Sequence, residues 1–213
     1  MKHIKKLDSY FIYDILEKMF IMKRLLLIII LTFSFQSWTK ADDISDFEIE
    51  GMSIGDSLLN FFSEEEIIIK NKKYHYSSKK YYQIRIDKNI NQYELVTVHL
   101  KDKDKKYIIH NISGVIEYKN RDKKKCENQM EIIKDSIVSN LKLRADFDKG
   151  NLSWDKTGKS KFKRYSFLMP STNQYNLSII CQFWDANTPF SHVLKTGINS
   201  EEYDFFLINE AYK

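Results

Sequence analysis

Four short stretches carry residue types that could do chemistry. Gly51-Met52-Ser53-Ile54-Gly55 has the G-x-S-x-G spacing of a strand-to-helix elbow that exposes a serine nucleophile. Only nine residues separate it from Ala41, too few for an earlier strand to supply a second oxyanion-hole amide. Thr157-Gly158-Lys159-Ser160 imitates the end of a phosphate-binding loop, yet Ser153 stands where that loop requires its first glycine. His99 and His110 could approach each other across a hairpin and share a metal ion, but no third ligand is apparent. Between Lys70 and Tyr82, five lysines interleave with tyrosines and His75 without an acid, a pattern that suits either a solvated connection or a polyanion groove.

Two cysteines, Cys126 and Cys181, fall on patterns that point inward. Cys126 opens the stripe Cys126, Met130, Ile133, Ile137, Leu141, spaced like the buried face of a helix. Cys181 shares the alternating face of a strand with Leu177, Ile179 and Phe183. A disulfide joining that helix to that strand is favoured over two buried thiols if the chain enters an oxidising compartment. Such an address is suggested by Met22-Lys23-Arg24, the apolar run Leu25 to Phe35, and the small residues Thr39 and Ala41 ahead of Asp42. Together they read as a secretory signal peptide cleaved between Ala41 and Asp42, with Met22 as the functional start. A retained membrane anchor would need about 20 apolar residues, and the run turns polar at Gln36.

The cut changes the charge argument. The whole chain carries 34 Lys/Arg against 29 Asp/Glu, and residues 1–41 hold seven and three of them, leaving 27 against 26 in residues 42–213. The basic surplus therefore offers no case for a nucleic-acid partner. With six glycines, no two of them two residues apart, a dinucleotide-binding G-x-G-x-x-G loop is excluded.

Residues 42–213 read as one α+β domain. A short strand is expected over Asp46–Glu50, then a helix over Ser53–Phe62 capped by Ser53, and a second over the capping box Ser63 to Glu66. A meander of strands follows over 81–87, 92–100 and 106–118, with Gly114 as a bulge or bend. A long central helix is expected over about 123–143. A polar loop over 146–160 then leads to strands over 161–169, 174–184 and 192–197, and a last helix starts near Asn199 or Ser200. Charged residues alternate with apolar ones in most strands, the signature of an antiparallel sheet solvated on one face. Asn111, Asn151 and Asn176 begin N-x-S sequons, and Trp154 and Trp184 could mark core or a ligand surface.

Gly55-Asp56-Ser57-Leu58 resembles the first block of the GDSL or SGNH esterases. That resemblance implies Ser57 as nucleophile, its amide in an oxyanion hole, and a histidine such as His192 as base. The family's later blocks are not matched. Gly197-Ile198-Asn199-Ser200 lacks the aspartate of G-x-N-D, and Pro189 stands where D-x-x-H needs its aspartate before His192. A second resemblance spans most of residues 41–213. Ala41–Leu59, Ile112–Ile116, Asp155–Ser160, and Cys181 followed by Trp184 are similar to small uncharacterised exported proteins of marine proteobacteria. It implies a Gram-negative envelope and a start at Met22, and brings no activity with it. The expectation is a non-enzymatic periplasmic or secreted protein with no metal or cofactor, binding an unidentified ligand or envelope protein and touching a membrane only through an uncleaved signal. A small esterase using Ser57 and His192 is the alternative.

Overall fold

The computed structural model describes residues 47–213, apart from Asn71, Trp154, residues 171–173 and the side chain of Tyr175. The expected signal segment, with its start at Met22 and its cut between Ala41 and Asp42, lies outside these residues. Among the described residues no helix is long and apolar enough to cross a membrane.

Seven strands form one antiparallel sheet: β1 (Tyr81–Ile86), β2 (Leu95–Lys101), β3 (Ile109–Tyr118), β4 (Ala145–Asn151), β5 (Lys161–Met169), β6 (Gln174–Phe183) and β7 (His192–Asn199). Their spatial order is β1-β2-β3-β7-β6-β5-β4. Two meanders, β1 to β3 and β4 to β6, are thus joined by β7 running between β3 and β6. Period-two alternation gives the sheet two unlike faces. On one, the row Ile84, Val98, Ile112, Ile198, Leu177, Phe167 crosses six strands, each residue 0% exposed. Burying each such side chain contributes roughly 1.5–3 kcal/mol.

Helix α2 (Lys123–Leu141) lies over β6 and β7 on this face. Asp122 caps it by accepting the Lys125 N–H (2.9 Å), and left-handed Lys142 ends it. Its buried Cys126 is bonded to Cys181 of β6, with Cα atoms 6.2 Å apart. The expected long central helix is therefore a bounded one that covers the apolar face only in part. The same buried cluster also takes in Ile49, Met52, Ile54 and Leu58, and Ile67 of the short helix α1 (Glu64–Ile69). Ser63 and Glu66 form the expected capping box of α1. On the opposite face, helix α3 (Glu201–Asn209), capped by Ser200, joins Tyr203 and Phe206 to Tyr81 in a second small cluster.

Four expectations are corrected. Instead of a strand at Asp46–Glu50, Ile49 and Met52 bond each other across a tight turn, because Glu50 (φ 54°) and Gly51 (φ 76°) supply its two left-handed positions. Gly55 (φ 90°) breaks the helix expected over Ser53–Phe62, leaving one 3-10 turn, Leu58–Asn60, capped by Ser57 rather than Ser53. The loop expected from Asp146 contains β4, an edge strand whose charged residues hide its alternation while blunting the edge. Gly114 is paired in regular register, whereas the irregularity falls at His99/Leu100. A Cβ at Gly114 would lie 2.5 Å from the Tyr93 ring, so the glycine makes room for that ring.

Candidate functional site: a polar cleft on the open sheet face

The fold keeps the sequence-predicted residues apart. Ser57 Oγ donates to the Lys106 carbonyl (2.6 Å) and accepts the Leu59 N–H (3.2 Å), so its hydroxyl caps a turn. Ser57 bridges Ile108 at the start of β3, and His192 pairs with Tyr118 at its far end. Ten residues of strand, at about 3.3 Å each, put the two on the order of 30 Å apart. His192 Nδ1 accepts the Trp184 N–H (3.2 Å), and burial lowers the pKa of its imidazole. Ser57 and His192 therefore form no nucleophile–base pair.

The other motifs resolve similarly. His99 is opposite Asn111, not His110, and His110 faces Ser200 Oγ (3.2 Å) and Glu202 (3.7 Å). Among the described residues no group of three His, Cys, Asp or Glu could hold a metal. In the Thr157–Ser160 loop, the amides a phosphate would need go to Asp155, which accepts N–H groups from Thr157 (3.0 Å) and Ser160 (2.9 Å). Hydrogen bonds from Ser160 and Thr157 hold the Asp155 carboxyl well below the ordinary range. Asn111 and Asn176 are 5% and 2% exposed, so two of the three sequon asparagines are buried in the folded chain. Trp184 stacks at a tilt on Phe190, with ring centres 4.6 Å apart.

A polar site does exist, on the face away from α2. On β2, β3, β7 and β6 most of the residues opposite the apolar rows are neutral where lysine and glutamate would be ordinary. One row reads Thr97, Ser113, Gly197, Ser178, Ser166, Asp146. A neighbouring row reads His99, Asn111, Asn199, with Asn176 on β6 beside them. Two connected hollows open on this floor and share Ser178 and Asn199. The wider, about 440 Å³, is bounded by Asp148, Arg164, Asn176 and Asp204. The narrower, about 170 Å³, is roofed by Tyr76, Tyr203 and Leu207 and floored by His99, Ser113, Lys195 and Gly197.

One chain of hydrogen bonds holds the floor together. Both oxygens of Asp204 on α3 accept an amide, from Asn199 Nδ2 (2.6 Å) and Asn176 Nδ2 (2.6 Å). Burial raises the Asp204 pKa while the two amides oppose the rise. Because a carboxylate only accepts, Asn199 must turn its amide nitrogen to Asp204 and its oxygen to Asn111 Nδ2. Asn111 then offers its oxygen to His99 Nδ1 (2.8 Å), which must carry the proton. His99 Nε2 is left as an acceptor. Burial drives the pKa of this imidazole down to about 3, with Lys195 and His75 adding to the effect against the Asn111 bond, so the ring is neutral at physiological pH.

No family profile, curated protein or solved structure matches the chain.

Sequence reasoning passed over this site because outward-facing strand positions are normally solvated and carry no ligand chemistry. The available signal was residue type: Asn, Ser, Thr and His at alternating positions of β2, β3, β6 and β7, where charged side chains would suit water better.

Proposed function

We propose that this chain is a non-enzymatic binding protein of a Gram-negative envelope, exported, cleaved between Ala41 and Asp42, and taking a small polar ligand in the cleft on the open sheet face. The hydrogen-bond chain from His99 through Asn111 and Asn199 to Asp204 carries this reading. It spends five polar groups from four strands and one helix, His99, Asn111 and Asn176 buried and Asn199 and Asp204 part-buried, on fixing the direction of donors and acceptors in a hollow, which is how small-molecule sites obtain specificity. The disulfide is compatible with an oxidising compartment outside the cytoplasm. Against the esterase alternative stand the engaged hydroxyl of Ser57 and its remoteness from His192.

The test is thermal-shift screening of the oxidised protein against a library of polar metabolites, with Ser178→Trp, which fills the shared wall of both hollows, as the blocked variant. A compound that raises the melting temperature of the native protein and not of a folded Ser178→Trp supports the reading. Failure of every compound, or equal shifts in both proteins, overturns it. Intact mass after a fluorophosphonate probe is expected to be unchanged; a single adduct abolished by Ser57→Ala would instead establish the esterase.

A further inference from the structure

Every acid bounding the cleft is engaged, but its central cation is not. Asp148 pairs with Arg164 (2.7 Å), Asp146 with Arg144 (2.8 Å), and Asp204 with its two asparagines. Lys195 projects into the same cleft from β7, the middle strand of the sheet, between Val115 on β3 and Ile180 on β6. Among the described residues its ammonium has neither hydrogen bond nor ion pair. Its surroundings are apolar or neutral: Ser113, Gly197, Ser178, the neutral His99, and the rings of Tyr76 and Tyr203. By area Lys195 is part-buried, yet the surrounding sheet crowds it enough to lower its pKa by desolvation, with no acid offsetting the effect. An enclosed charge without a partner costs stability, and a sheet residue with two apolar cross-strand neighbours has no structural need for one.

We propose that the narrow hollow binds the carboxylate of a small organic acid, with Lys195 as its counter-charge and the rest of the molecule extending over Ser178 and Asn199 into the wider hollow. This rests on the cleft being a ligand site and adds the ligand's chemical class. A volume of about 170 Å³ equals that of roughly five or six water molecules, enough for a carboxylate and its adjoining carbon. The unprotonated His99 Nε2 supplies an acceptor in the same hollow, so a hydroxyl or amino group beside the carboxylate would also be satisfied. Neutrality of His99 leaves Lys195 as the cation that selects for the anion.

The experiment uses acetate and its uncharged isostere acetamide as probes, titrated to 100 mM (~) at constant ionic strength into 15N-labelled oxidised protein, with Lys195→Met and Lys195→Arg alongside. Expected is a saturable acetate shift at the amides of Lys195, Gly197 and Ser178, retained in Lys195→Arg and weakened at least about tenfold in Lys195→Met. Lys195→Met removes an unpaired enclosed charge, so it should fold at least as well as the native chain, and its loss of binding could not be ascribed to unfolding. Acetamide binding these amides as well as acetate does, or acetate binding Lys195→Met unchanged, overturns the carboxylate assignment while leaving the cleft reading intact. If inorganic phosphate binds more tightly than acetate, the assignment to carboxylates also falls. If no probe shifts these amides, the proposal falls, and the metabolite screen decides the cleft independently.

Discussion

Asp204 sets the direction of a relay that ends three hydrogen bonds away in the tautomer of a buried histidine. Long-range 1H–15N spectra should therefore show His99 with a protonated Nδ1 and a bare Nε2, and Asp204→Asn, which can donate as well as accept, should abolish that single assignment. The pH dependence has a definite sign. His99 is held at about 3 when folded against an ordinary 6.5, so between those values the unfolded chain binds the extra proton. Its contribution to stability is complete above pH 6.5 and drains away as pH falls toward 3; His110 and His192, also lowered by burial, act the same way. Asp204, raised by burial, acts in the opposite sense, weakening the fold as pH rises through its folded pKa. Melting temperatures between pH 7 and 4 should fall, and His99→Gln should flatten the fall, by about 1.4 kcal/mol per pH unit for the proton removed. Lys195→Met should raise the melting temperature by roughly 2–4 °C, the response of a chain this size to about 1 kcal/mol.

Among the elements, close approach decides two outcomes. Gly114→Val would drive a side chain into the Tyr93 ring, already 2.5 Å from an added Cβ, and should cost about 1–3 kcal/mol in urea melts. Ser57→Ala, removing a cap, should cost only about 1 kcal/mol and leave the cleft untouched. Helices and strands with strong periodicity were legible in the chain: the Cys126 stripe became α2, the Ser63 box became the start of α1, and the two cysteines met. Illegibility had a physical source each time. Ala145–Asn151 reads as a loop because an edge strand with charges on both faces has no alternation. The Ser53 helix failed because one left-handed glycine, Gly55, outweighed good capping chemistry. The cleft was hidden because its residues lie on six strands whose neighbour relations follow from sheet order, which local pattern does not encode.

For the molecule as a whole, the order β1-β2-β3-β7-β6-β5-β4 means that the strand made last sits in the middle. Reduction of the disulfide should cost about 4 kcal/mol in the chain-entropy model for a 55-residue separation, visible as a lower urea midpoint under dithiothreitol. That crosslink joins α2 to β6, entirely upstream of β7. Until β7 arrives, β3 and β6 each expose a bare edge, and the polar relay is cut in two, His99 and Asn111 on one side, Asn176 on the other. The crosslink can thus hold α2 to β6 without β7, while the cleft is completed only when residues 192–213 add Lys195, Gly197 and Asn199 to the middle of its floor and Tyr203 and Leu207 to its roof.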